Sequence, residues 1–281
     1  MASTVAYLGP AGTYTHEAMR SSAVGEISPE PRSTVYETVM AVQEGATEQA
    51  VVPIENSLEG GVAATLDALA GEADRVRIAA EVVHPIHHCL VAAQELGIDR
   101  IARVLSHPQA TAQCARYLRE HLPGVERVAT TSTAEAVRTV RDGREPWAAL
   151  ASRLAAELYG CAVLAEKVED HPDNVTRFVW LAGVGAERAP VDGPAKTSVV
   201  FWGFNDDSPG ALVSVLRELS DRSINLTKIE SRPRRGGLGR YMFFADLEGH
   251  EHEPNVEQAL EALRRRVETL RVLGSYPVAT G

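Results

Sequence analysis

In the segment Asp173-Asn174-Val175-Thr176-Arg177-Phe178-Val179 a polar loop ends in a strand whose first residues place a hydroxyl and a guanidinium next to each other. A hydroxyl can hydrogen-bond a departing oxygen, and a guanidinium can grip a carboxylate through two parallel donors. Side chains alternate along a strand, so Thr176 and Phe178 take one face and Arg177 the other. The same residues read equally well as an ordinary β-branched strand position beside a surface charge.

Four further segments share one local device, in which a strand ends, a small polar loop follows and a helix begins. They are Gly9-Pro10-Ala11-Gly12-Thr13-Tyr14-Thr15, Glu55-Asn56-Ser57-Leu58-Glu59-Gly60-Gly61, Ser106-His107-Pro108-Gln109 and Ala151-Ser152. Pro108 suits a first helical position and Ser152 a helix cap. Each loop alone is explained by capping and turn chemistry. Four of them at the carboxyl edge of one parallel sheet make a site for a small anion, fed by free N–H groups and helix dipoles. Neither GxxxxGK[ST] nor GxGxxG occurs, so nucleotide binding is not indicated.

Two patterns invite other chemistry. In His84-Pro85-Ile86-His87-His88-Cys89, a strand would put His84 and His88 on one face and His87 on the other. No second ligand pair accompanies them, and a structural role is expected rather than a metal site. Ser152, His107 and neighbouring acids could be drawn as a hydrolytic triad, yet no GxSxG or other nucleophile signature is present.

The elements that must position these residues alternate. Strands are expected at Val5–Leu8, Ala50–Ile54, Val76–Val83, Val104–Ser106, Ala148–Ala151, Ala162–Glu166 and Arg177–Ala182. Helices are expected at Thr15–Ser22, Thr34–Glu44, Gly61–Ala70, Pro108–His121, Thr133–Asp142 and Ser152–Tyr159. That is an α/β pattern with mostly parallel pairing. Residues 186–195 are rich in Gly and Pro and read as a linker. Beyond them come strand Thr197–Phe204, helix Pro209–Arg222, strand Ile224–Ser231, a Gly- and Arg-rich turn Pro233–Gly239, strand Tyr241–Leu247, helix Pro254–Arg266 and a strand near Glu268–Leu273. The order β-α-β-β-α-β describes a small ferredoxin-like module.

The totals agree with a two-domain soluble protein. The chain has 281 residues, 44% hydrophobic and 23% charged, with a net charge of -10. Acidity argues against nucleic acid and anionic membranes as partners. The basic runs Arg232–Arg235 and Arg264–Arg266 read as solvated faces. Cys89, Cys114 and Cys161 are odd in number and widely spaced, which suits a reducing cytoplasm and gives no disulfide framework. Neither a signal peptide nor a bilayer-spanning apolar run is read.

Taken together, these segments resemble the prephenate dehydratase family over nearly the whole chain. The resemblance rests on Gly9-Pro10-Ala11-Gly12-Thr13-Tyr14, Pro53-Ile54-Glu55-Asn56-Ser57, Ser106-His107-Pro108-Gln109-Ala110 and Thr176-Arg177-Phe178, in the family's order. The C-terminal module resembles the family's ACT domain at Gly210-Ala211-Leu212-Val213 and Glu230-Ser231-Arg232-Pro233, the segments that bind phenylalanine in the family. The resemblance implies a two-lobed, type 2 periplasmic-binding-protein-like catalytic domain over 1–185, with lobes at about 1–78 plus 171–185 and 79–170. An ACT regulatory domain would follow over 196–281.

The implied reaction converts prephenate to phenylpyruvate, water and carbon dioxide without a cofactor or metal. Thr176 matches the family's catalytic threonine, and Arg177 would hold a substrate carboxylate or order the cleft. Asn56, Ser106 and Gln113 match polar positions used in binding or catalysis. Thr13, Glu55, Ser57, His107, Ser152 and Phe178 would line the substrate. The resemblance further implies a cytoplasmic homodimer or homotetramer with L-phenylalanine as effector. Arogenate dehydration and a non-catalytic amino-acid or small-anion sensor are the alternatives. Two departures stand out: Arg240-Tyr241 replaces an aromatic pair after Gly236, Gly237 and Gly239, and no chorismate mutase segment is seen.

Overall fold

The computed structural model describes residues 2–143, 145–186, 193–204, 208–234 and 239–279. Most of the expected linker, at 187–192, and the turn residues Arg235, Gly236, Gly237 and Leu238 lie outside the described residues.

The first sheet is built from β1 (Ser3–Leu8), β2 (Ile27–Arg32), β3 (Gln49–Asn56), β5 (Val76–Pro85) and β11 (Val175–Gly183), in the order β2-β1-β3-β11-β5, with the short β4 (Gly60–Gly61) beside β3. The return of the chain at β11 to lie between β3 and β5 is the crossover that the resemblance implied. Helices α1 (Tyr14–Ser22), α2 (Val35–Gln43) and α3 (Ala63–Ala70) connect these strands. β2 escaped the sequence reading because its residues are Ile-Ser-Pro-Glu-Pro-Arg. Prolines cannot donate to a ladder, and β2 accommodates Pro29 and Pro31 because it is an edge strand paired on one side to β1.

The second sheet has the order β10-β6-β9-β7-β8, from β6 (Cys89–Ala92), β7 (Arg103–Ser106), β8 (Glu126–Ala129), β9 (Trp147–Ala151) and β10 (Ala162–Ala165). β7 is parallel to β8 and β9, whereas β6 runs antiparallel to β9 and β10, so pairing is less uniformly parallel than expected. β9 lies mid-sheet with Ala148–Ala151 at 0% exposure, which is why its apolar run is unbroken. The histidine segment is not one strand. β5 ends at Pro85, β6 starts at Cys89, and His87 and His88 lie in the break between them.

The helices of this region carry their start signals in sequence. Ser132 caps α6 (Thr133–Asp142) by accepting from the Glu135 N–H, with Glu135 in its first turn. Ser152 caps α7 (Arg153–Tyr159), which stops at left-handed Gly160. The single helix expected over Pro108–His121 is instead α4 (Pro108–Gln113) and α5 (Ala115–His121), broken at Cys114. Asp170 supplies the reason. Its N–H donates to the Gln113 carbonyl at 2.7 Å, and its carboxylate takes the Arg116 N–H at 2.9 Å, replacing helical partners.

The C-terminal module is β12 (Ala195–Trp202), α8 (Ala211–Ser220), β13 (Leu226–Pro233), β14 (Tyr241–Glu248), α9 (Pro254–Arg266) and β15 (Thr269–Pro277), with antiparallel sheet order β13-β14-β12-β15. This is the ferredoxin-like arrangement, and β15 extends four residues beyond the expected Leu273. Its core joins Val199, Phe201, Val215, Leu219, Leu247 and Leu263.

The chain divides into two compact units, Met1–Thr38 with Val51–Gly60 and Val83–Phe178, and Val39–Ala50 with Gly61–Val82 and Val179–Gly281. Within the second unit the C-terminal module is tied to residues 61–82. Arg271 donates to the carbonyls of Ala70, Gly71 and Ala73, Lys196 pairs with Glu81 at 2.8 Å, and Gly274 abuts the Ile78 backbone. Among the described residues no helix is long and apolar enough to cross a membrane.

Candidate functional site

The end of β3 meets the start of β11 through reciprocal bonds. Ser57 N–H donates to the Val175 carbonyl at 2.9 Å, and Val175 N–H donates to Ser57 Oγ at 3.1 Å. This pairing sets Asn56 opposite Thr176 and Glu55 opposite Arg177. Alternation then sorts them: Asn56 Nδ2 donates to Thr176 Oγ1 at 2.9 Å, while Arg177 pairs with Glu55 at 3.1 Å. Asn56, Asn174, Thr176 and Arg177 are all buried.

Asn56 is the hub. Its Oδ1 accepts from the N–H groups of Leu58 (3.0 Å) and Glu59 (3.2 Å), and its Nδ2 also reaches Asn174 Oδ1 at 2.8 Å. Asn174 Nδ2 donates to Gln113 Oε1 at 3.1 Å, and Gln113 Nε2 donates to Glu59 Oε1 at 3.4 Å. Thus Gln113, at the last position of α4, joins a cluster whose other members lie at or just outside the end of β3 and the start of β11.

On its far side Gln113 Oε1 faces His88 Nε2 at 2.9 Å, and His88 Nδ1 lies 2.7 Å from Tyr14 Oη. Glu169 accepts from the His88 N–H at 2.8 Å and pairs with His87 at 2.8 Å. Burial holds the His88 imidazole below the usual histidine range and the Tyr14 phenol well above the usual tyrosine range, so both are neutral near pH 7. His84 contacts Glu17 at 3.2 Å and stands edge-on to Phe178. The three imidazoles thus take different partners, and no cluster of His, Cys, Asp and Glu able to hold a metal ion occurs among the described residues.

The remaining expected residues sit in the loops and serve them. Thr13 caps α1 and donates to the Leu8 carbonyl at 2.8 Å. Ser152 Oγ donates to the Gly12 carbonyl at 2.9 Å while capping α7, joining the first and fourth loops. His107 Nδ1 caps α4, and Ser106 Oγ, fully buried, donates to the Leu150 carbonyl at 2.7 Å. No Ser152–His107 couple forms, since each is spent on its own helix start. The four loops do not share one sheet edge: two belong to each of the first two sheets. Phe178 is buried at 2% exposure.

Sequence reasoning passed over Asn174, Tyr14, His88 and Glu169 as site residues. Asn174, Tyr14 and His88 lie in segments already marked in the sequence, but only the fold shows that Asn174 meets Asn56 and Tyr14 meets His88.

In the C-terminal module a cavity of about 350 Å³ is lined by Phe204, Gly210–Val213, Tyr241 and Phe243, among others. Gly210, Ala211, Leu212 and Val213 therefore surround a space of small-ligand size. Glu230, Ser231, Arg232 and Pro233, on β13, do not line it. Arg232 instead makes a bidentate pair with Asp67 of α3 at 2.8 and 2.9 Å.

Comparisons with known proteins bear on this geometry. A family profile described as prephenate dehydratase matches residues 5–184, and one described as ACT domain matches residues 204–265. The chain is 42% identical over 287 residues to the prephenate dehydratase of Mycobacterium sp. (strain JLS), covering 98% of this chain and 89% of that one. The crystal structure of a prephenate dehydratase in complex with L-Phe from Arthrobacter aurescens aligns with a TM-score of 0.89 and 39% identity, covering 98% and 90%. GqqA, described as a novel type of quorum quenching acylase, aligns with a TM-score of 0.86 and 33% identity, covering 98% of both chains.

Proposed function

Because the chain belongs to the prephenate dehydratase family, we propose that it converts prephenate to phenylpyruvate and that its C-terminal module senses L-phenylalanine. In this reaction the bond between the ring and its carboxylate breaks and carbon dioxide departs. The released electron pair enters the ring, and the opposite C–O bond breaks with its pair on oxygen. That oxygen takes a proton and leaves as water, and aromatisation drives the step.

The observation that carries this reading is the hydrogen bond from Asn56 Nδ2 to Thr176 Oγ1. Because Thr176 accepts there, its own proton is left to point at a leaving oxygen. A hydroxyl is too weak an acid to surrender that proton outright at neutral pH, so it stabilises the departing oxygen while water or a neighbour supplies the proton. Arg177 faces away toward Glu55, and we assign it to ordering the Glu55–Asn56 strand end. Asn174 accepts from the amide of Asn56 and Gln113 from that of Asn174, while the helix caps Thr13, His107 and Ser152 and the Ser57–Val175 pairing give the site its shape.

The cavity at Gly210–Val213 supports the effector assignment, as does the L-Phe bound by the Arthrobacter aurescens relative. We place the catalytic region at 1–185, a linker at 186–195 and the regulatory region at 196–281, in a cytoplasmic homodimer or homotetramer. Sedimentation showing a monomer with and without phenylalanine would remove the oligomer from this account.

The deciding experiment is the appearance of phenylpyruvate from prephenate, with and without L-phenylalanine. Turnover that phenylalanine suppresses is the expected result. Turnover without suppression would detach the effector from the C-terminal module. Hydrolysis of an amide substrate with prephenate left intact would favour the chemistry named for GqqA. The buried, helix-capping Ser152 makes a poor nucleophile for that reaction.

A further inference from the structure

His88 has no part in the reaction as just proposed, yet it is buried at 2% exposure between Tyr14 and Gln113. Its protonation follows from its neighbours. The N–H groups of Leu58 and Glu59 can only donate, and both donate to Asn56 Oδ1, so the Asn56 amide has one orientation. Its nitrogen then faces Asn174 Oδ1 and Thr176 Oγ1. With its oxygen occupied, Asn174 turns its nitrogen to Gln113 Oε1. Gln113 therefore presents an acceptor to His88, whose Nε2 must carry a hydrogen. In the neutral ring Nδ1 then holds the lone pair. The single hydrogen of the Tyr14 hydroxyl has two acceptors in reach, this lone pair at 2.7 Å and the His87 carbonyl at 2.9 Å, and an Nε2–H ring requires that it goes to the lone pair.

We propose that His88 is a positioning residue for the elimination. Held as the Nε2–H tautomer by Tyr14, it locks the Gln113 amide. Through Asn174 it thereby keeps an acceptor on the Asn56 nitrogen, whose direction the Leu58 and Glu59 N–H groups fix, and so steadies the amide that holds Thr176. The opposite tautomer would point a lone pair at Gln113 and turn its amide. Asn174 would have to turn in response and bring its nitrogen against that of Asn56, donor to donor. One proton on one ring nitrogen thus holds two amides, Gln113 and Asn174, in the orientation that a third, Asn56, requires. The role rests on the reaction proposed above.

Two measurements test it. Nitrogen NMR of protein labelled at histidine should show His88 as the neutral Nε2–H tautomer at pH 8, with that tautomer lost or mixed in Tyr14→Phe. An Nδ1–H tautomer in the native protein overturns the proposal. In kinetics, His88→Leu keeps the volume and removes the donor. A reactive group displaced by an ångström can lose on the order of 10²-fold in rate, so kcat should fall by about that factor with KM within about threefold. His88→Gln restores an amide donor toward Gln113 and should recover most of kcat, which a purely structural role would not predict. Native turnover that survives His88→Leu undiminished overturns this role alone. No turnover by the native chain overturns the proposed reaction and this role together.

Discussion

Asn56 and Thr176, 120 residues apart in sequence, are joined by a hydrogen bond of 2.9 Å in which the amide is the donor. The direction follows from two backbone N–H groups that fix the Asn56 oxygen on the other side. A threonine so held is an acceptor toward the protein and a donor toward whatever occupies the site.

Thr176→Ala should therefore lower kcat for phenylpyruvate formation by about 10²-fold or more, as loss of an aimed transition-state donor does. Stability should change by only about 1 kcal/mol, because Asn56 Nδ2 keeps Asn174 as an acceptor. Thr176→Ser, which keeps the hydroxyl, should stay near native. Steady-state kinetics with thermal melts of the three proteins check this, and near-native turnover by Thr176→Ala would remove the residue from the mechanism.

Much of this pairing was legible in sequence, but unevenly. Asn56 and Thr176 sit in segments whose strand-to-loop pattern marks them, and alternation along β11 already separated Thr176 from Arg177. The partner of Arg177 was not visible, because pairing it with Glu55 requires the register of β3 against β11. The break of α4 from α5 at Cys114 was equally hidden, since it depends on Asp170, far along the chain. Edge strands β2 and β8 lacked apolar alternation because only one side of each is paired. His88 looked like one of three histidines in a strand. Its role appears only once the chain breaks between β5 and β6 and Tyr14 and Gln113 close on it.

The ion pair of Arg232 with Asp67 is bidentate, and it holds a segment read as effector-binding against helix α3. Both side chains are partly exposed, so the pair contributes only about 0–1 kcal/mol to folding. Asp67→Asn should leave the melting temperature within a few degrees and kcat near native. If Arg232 must stay pinned for phenylalanine to act, the concentration needed for half inhibition should rise severalfold. An unchanged inhibition curve would show that this pair carries no regulatory signal.

Gly210 opens α8 with a left-handed backbone, φ +82, and borders the cavity of the C-terminal module. A side chain there meets open space, so the cost of Gly210→Val is backbone strain of about 1–2 kcal/mol rather than collision. The added atoms should occupy the cavity mouth. Turnover should be spared while inhibition by phenylalanine weakens. Inhibition that survives the change would place the effector elsewhere.

Stability should peak in a plateau bounded by the buried neutral groups. His16 and His88 are held below their ordinary value of 6.5 chiefly by burial. Below that pH the unfolded chain takes up protons that the folded chain refuses. The stability present above about pH 6.5 is therefore lost as pH falls toward the folded values. On the alkaline side burial pushes the Cys89 thiol from 9.0 up to about 11, and Cys114 and Tyr14 also move up. Above about pH 9 the unfolded thiols ionise first, and stability again falls, by on the order of 1–3 kcal/mol for Cys89. Urea midpoints measured from pH 5 to 10 should trace this dome. Cys89→Val should flatten its alkaline side and His88→Leu its acid side. If His88→Leu leaves the acid limb unchanged, the ring is not buried as a neutral group.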